Sequence, residues 1–178
     1  MALLAEEIVE EWLNRQGYFT IRGIKMGVHE LDLLAVKWRK NEMPECRHIE
    51  VQASMRPVSY ISRVPKKDQK AGRAKNSAKR SDEELVEGVT EWVETKFRRA
   101  NKKALMASLW NGNWSSELVV NVVKSEDELK LIAVHGIKIL RLNEIVSSLA
   151  NDSFVVGSAC GADIVDLIHM GSRAQGDA

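Results

Sequence analysis

Apolar positions along the first sixteen residues fall at helical spacing. Leu4, Ile8, Val9, Trp12 and Leu13 share one face of a helix predicted over residues 3–16, and Gly17 ends it. The chain then changes to strand-like patterning. Residues 18–22 are a short β-prone stretch, and 29–38 (HELDLLAVKW) and 46–53 (CRHIEVQA) read as two strands of a hairpin with a longer loop. Residues 55–80 show no apolar period and contain Pro57 and Pro65. Order resumes at the capping-box pattern SDEE (81–84), which starts a helix whose stripe of Leu85, Val89, Trp92, Val93 and Phe97 runs to about Ala100. Residues 101–115 carry no decisive pattern. Residues 118–123 (LVVNVV) read as a buried strand, and SEDE (125–128) as a second capping box opening a short helix to Gly136. A last strand is expected at 137–142, with Asn143 capping a helix to Leu149. One more helix follows over 151–170, and a loose tail begins at Gly171.

The order α-β-β-β-α-β-α-β-α predicts an α/β fold, with a mixed central sheet and helices on both faces. The expected division is a core over residues 1–145 and a C-terminal extension over 146–178, packed as one domain.

Composition narrows the class. A chain of 178 residues that is 44% apolar and 29% charged suits a single globular domain with a real core. Apolar runs extend only a few residues, so no membrane-spanning helix fits. The first residues turn acidic before a signal-peptide core develops, and the expected compartment is the cytoplasm. Cys46 and Cys160 are too few for a disulfide scaffold, and His29, His48, His135 and His169 lie too far apart for a local metal motif. Neither GxxxxGK[ST] nor GxGxxG occurs. The stretch GSACG (157–161) has Ala159 where a nucleophile elbow carries serine, and reads as a packing turn.

The net charge of +1 conceals an uneven distribution. Residues 56–80 carry Arg56, Arg63, Lys66, Lys67, Lys70, Arg73, Lys75, Lys79 and Arg80 against Asp68 alone. Such asymmetry points to a polyanionic partner, and nine cations with one acid are not expected to enter the core. Arg98, Arg99, Lys102 and Lys103 lie at a predicted helix end, where cations suit the dipole without any ligand. Trp12 and Trp92 fall on apolar stripes and are expected in the core; for Trp110 and Trp114, packing is favoured over stacking on bases.

The hairpin carries the candidate chemistry. Glu30 and Asp32 alternate onto one face of the first strand, and His48, Glu50 and Gln52 onto one face of the second. A loop centred on Glu42 sets Asp32 opposite Gln52 and diagonal to Glu50. Both acids interrupt apolar segments, where a carboxylate needs a compensating cation, and two acids converging there form a candidate divalent-metal site. A solvent-facing pair of strands produces the same alternation. His48 is a candidate phosphate contact.

A first-helix glutamate, then Asp32 in HELDLLAV, then Glu50-Val51-Gln52 in HIEVQAS resembles the PD-(D/E)XK nuclease superfamily, with its restriction-endonuclease-like αβββαβ core. The pattern is most similar to Holliday-junction-resolvase-like and Mrr-like members, over about residues 3–145. The resemblance implies a Mg²⁺-dependent (or Mn²⁺-dependent) DNA endonuclease. Asp32 and Glu50 would be its metal ligands, and Glu6 would complete the site ahead of Glu10; Glu30 would join through a water. Gln52 stands where the family carries lysine, so it would orient the attacking water without supplying charge. Lys66, Lys67 and Lys70 are candidates for the missing cation. Arg56, Arg63, Lys66, Lys67, Lys70, Arg73 and Lys75 would hold DNA phosphates, with a homodimer left open. The alternatives are a nucleic-acid-binding module without chemistry and a domain that docks an acidic protein.

Overall fold

A computed structural model describes residues 2–54, 56–151, 153–157 and 161–176, the side chains of residues 2, 3 and 171–176 aside. The first helix, α1 (Ala2–Arg15), ends as its sequence predicts. Gly17 takes φ +87°, and the amides of Gly17 and Tyr18 return to the carbonyls of Asn14 and Leu13. That is the paired-bond termination a left-handed glycine allows.

Three strands follow: β1 (Phe19–Met26), β2 (His29–Lys37) and β3 (Glu45–Gln52). After them come α2 (Lys66–Lys70), α3 (Asp82–Lys96), α4 (Ala100–Leu109), β4 (Trp114–Val120), α5 (Glu126–Val134), β5 (Ile137–Arg141), α6 (Leu142–Asn151) and α7 (Ala162–Gly176). The sheet order is β1-β2-β3-β4-β5. β1, β2 and β3 pair antiparallel, whereas β3, β4 and β5 pair parallel. The fold is therefore α/β with a mixed sheet. The whole segment from α2 to α4 serves as the crossover that parallel pairing of β3 and β4 requires.

Alternation along β4 shows how the layers are built. Val119 enters a core with Val9, Leu13, Ile145 and Leu149, contributed by α1 and α6, and α7 adds Val165. Leu118 and Val120 face the other way, toward Val89, Val93, Leu129 and Ile132 of α3 and α5. α4 covers the rest of that face, where Met106 meets Leu31 and Leu34. Helices thus lie on both faces. Arg47 and Glu117 form a buried ion pair across β3 and β4, with the guanidinium over the rings of Trp12 and Tyr18.

Several expectations shift. β1 runs to Met26, beyond residue 22, because Gly27 at φ +64° makes a tight turn into β2. The predicted single helix from 81 to 100 stops at Lys96, and α4 begins at Ala100 after an extended Arg99. No glycine or proline marks that break; the Lys102 ammonium caps it by donating to the Lys96 carbonyl at 2.8 Å. α6 starts at Leu142 directly from β5, so Asn143 is not its cap. The helix expected over 151–170 begins only at Ala162, after non-helical residues 153–157, and α7 continues to Gly176 through the stretch expected as a loose tail. The GSACG stretch lies partly outside the described residues. Trp114 packs with the α4 cluster, and its indole N–H donates to the Trp110 carbonyl.

The two capping boxes diverge. Ser81 and Glu84 form the full reciprocal pair. Ser125 accepts from the Glu128 amide, but the Glu128 carboxylate turns away from its own helix. It takes hydrogen bonds from the amides of Ile61 and Ser62, at 2.7 and 2.8 Å, and from the Ser62 hydroxyl. Part of the basic stretch therefore does fold into the core: Val64 is fully buried, Val58 and Ile61 pack under α3 and α5, and Val58 bridges Val123. Arg80 closes the stretch by donating to Ser62 and lying over the Tyr60 ring. Backbone and apolar side chains are buried there while most of the cations point out.

Candidate active site and cationic groove

Leu33 pairs with Ile49, two residues away from the expected register. The β2–β3 loop is centred nearer Asn41, which adopts φ +63°, a conformation asparagine tolerates. The shift conserves the faces and brings the acids closer than predicted, since the next register position places Asp32 across from Glu50. The strand ladder stops there. The Val51 amide donates instead to the Asp32 carboxylate, at 2.8 Å.

Glu50 is fully buried and heavily compensated. Lys96, at the end of α3, donates to Oε2 at 2.7 Å. Lys102, on α4, donates to Oε1 at 2.5 Å and has no exposure of consequence itself. His48 Nε2 lies 3.1 Å from the same Oε1. Burial works against the charge of Glu50, but His48, Lys96 and Lys102 outweigh it and hold the pKa at about 2. Asp32 is the opposite case. Burial first, and the neighbouring Glu50 second, push its pKa up to about 7, with Lys96 and the Val51 amide offsetting only part. Two carboxylates on one hairpin are thus split, one firmly ionised and one short of positive charge.

Glu6 stands close enough to act on Asp32 and is itself raised, by burial and by Glu30 and Glu50. Glu10 is committed elsewhere: it accepts from Thr20 and from Arg22 of β1. Glu30 is exposed. His48 is not a phosphate contact, because its ring is fully buried against Glu50 and Phe97, with Nδ1 unpartnered. Among the described residues, no group of three or more His, Cys, Asp or Glu side chains is placed to hold a metal ion.

An open groove of about 600 Å³ adjoins this cluster. Its lining includes Gln52, Trp92, Lys96, Arg99 and His29, together with Arg63, Lys66 and Lys75 of the basic stretch. Glu91 is the acid that lines it. Asp32 and Glu50 do not line the groove; Lys96 does, and its ammonium rests on Glu50. The remaining candidate cations divide. Lys67 pairs with Glu87, and Arg73 with Glu84, both on α3. Arg56 and Lys70 are exposed away from the groove lining.

Lys96 and Lys102 went unseen in the sequence. Lys96 lies beside the apolar stripe of α3, and Lys102 reads as one of four helix-end cations. The available signal was composition: a carboxylate as enclosed as Glu50 demands a cation, and the crossover between β3 and β4 has to supply it.

No helix among the described residues is long and apolar enough to cross a membrane. No protein-family profile matches the sequence, and no curated protein matches it. Among solved structures, this chain is similar to the crystal structure of a protein of unknown function, AF1548, at 15% identity and a TM-score of 0.49. The match covers 83% of this chain and 66% of that one.

Proposed function

We propose that the protein is a Mg²⁺-dependent nuclease acting on DNA, built on a restriction-endonuclease-like core. One juxtaposition carries this reading: a buried pair of acids, Asp32 and Glu50, is joined through Lys96 to a groove lined by Arg63, Lys66, Lys75 and Arg99. The donor set fits a hard divalent ion. Mg²⁺ is commonly held by one or two carboxylates and keeps its remaining waters, and Asp32 is an acid short of positive charge. A metal held by Asp32 and Glu50 would polarise the scissile phosphodiester and acidify a bound water.

The chain's own groups supply the rest. Arg63, Lys66 and Lys75 attract backbone phosphates without reading sequence. Gln52 presents an amide to the groove, where it can orient a water but not add charge. The charge that Gln52 lacks comes from Lys96, delivered from α3 rather than from β3.

A second reading has its own support. Both Glu50 oxygens are already satisfied by Lys96, Lys102 and His48, as they would be in a binding module whose acids serve only the fold. Nicking of supercoiled and branched DNA, with Mg²⁺, with Mn²⁺ and with EDTA, separates the two. Metal-dependent cleavage that disappears in Asp32→Asn supports the nuclease. Salt-sensitive DNA binding without cleavage in any metal supports the module.

A further inference from the structure

We propose that Lys96 is an exchangeable counter-cation: it occupies Glu50 when no metal is bound, and it yields that oxygen to an entering divalent ion and turns to substrate phosphate in the groove. This rests on the two-carboxylate reading of Asp32 and Glu50 given above.

The two lysines on Glu50 are not equivalent. Lys102 is enclosed and doubly held, by Glu50 Oε1 and by the carbonyl that ends α3. Its departure would strip both the carboxylate and the helix end. Lys96 keeps about a quarter of its side chain exposed, lines the groove, and makes one ion pair, to Oε2. Oε1 is shared by Lys102 and His48, so Oε2 is the oxygen that a single movement can free. The charge of Lys96 also acts on Asp32. Its withdrawal therefore leaves two acids side by side with a vacated oxygen, which is what a divalent ion needs.

The long stem of lysine lets the ammonium swing without moving α3. Arg99 and His29 line the same groove, so the released charge joins a cationic surface where a phosphate is the natural partner. Metal and substrate then help one another: each removes Lys96 from the position the other does not want it to hold.

The test uses the full chain and two variants, with Mn²⁺ affinity read by calorimetry and duplex-DNA affinity read across a salt series. Lys96→Gln keeps a hydrogen-bonding end but removes the competing charge. It should bind Mn²⁺ about tenfold or more tightly, the loss of one charge-assisted bond's worth of competition. Its DNA affinity should fall, and its log-affinity against log-salt slope should flatten by about 0.9, one phosphate contact. Lys96→Arg should restore wild-type behaviour in both assays. A purely structural Lys96 would weaken metal and DNA binding together, and unchanged or weaker Mn²⁺ binding in Lys96→Gln overturns the proposal while leaving the metal site standing. If neither wild type nor variant binds Mn²⁺ at millimolar concentration, the metal reading fails and the exchange with it.

Discussion

Lys102 reaches from α4 to Glu50 in β3, and neither side chain touches solvent. Replacing Glu50 is therefore a structural operation as well as a chemical one. Glu50→Ala strands a buried ammonium and should cost about 3–5 kcal/mol. Glu50→Gln keeps the side-chain volume and one acceptor oxygen, enough for one of the two lysines, and should cost less while still removing the negative charge. Urea unfolding of both variants checks the order; an alanine variant as stable as wild type would mean that Lys102 finds solvent. Activity tests at this position are best read in the glutamine form.

Asp32 predicts a pH dependence of opposite sign to that of most carboxylates. It keeps its proton in the fold up to about pH 7, against an ordinary value of 3.8. The unfolded chain thus releases a proton that the folded chain retains. Stability from this group is complete below about pH 4 and is lost as pH rises through 7. Asp32→Asn does not titrate and can still accept from Val51. It should gain on wild type by on the order of 2 kcal/mol between pH 4.5 and 8. Denaturant midpoints at the two pH values decide it, and a constant gap between the proteins would refute the assignment.

Cations in the basic stretch are not interchangeable. The triple change Arg63→Gln, Lys66→Gln, Lys75→Gln removes three cations from the groove lining and should flatten the DNA salt slope by up to about 3. Changing Arg56, Lys67 and Lys70 together removes as much charge from outside the lining and should move the slope by less than half that. Equal effects from the two triples would mean that the whole stretch, rather than the groove, meets DNA.

Glu128 fastens that stretch to α5. Glu128→Gln loses charge-assisted bonds from two amides and a hydroxyl and should destabilise the fold by about 2 kcal/mol. Hydrogen exchange should rise first in residues 58–64. Protection there equal to wild type would place the anchoring of the segment in Val58, Ile61 and Val64 instead.

The α/β class, the mixed sheet and the placing of Asp32 and Glu50 on one face of the hairpin were legible because each rests on short-range pattern: alternation along two strands and helical stripes around them. The register was misjudged by two residues, since it depends on which loop residue accepts a left-handed conformation, and Asn41 rather than Glu42 lies at the centre. The capping pattern at 125–128 located α5 but could not reveal that Glu128 prefers the amides of a segment 66 residues away. Lys96 and Lys102 escaped for the same reason. Local spacing shows where a cation sits on its own helix, whereas their role is set by a burial that exists only once three elements meet.

The crossover topology has a kinetic consequence. β2 and β3 can pair as soon as a short loop closes, but the lysines that neutralise Glu50 arrive 46 and 52 residues later, with α3 and α4. Until that long loop closes, the hairpin holds two uncompensated acids and no reason to exclude water from them. The acids thus come early in chain order, and the cations that compensate Glu50 reach it only across the crossover that joins β3 to β4. Enclosure of the acid pair is therefore a property of the closed crossover and not of the hairpin that carries both carboxylates.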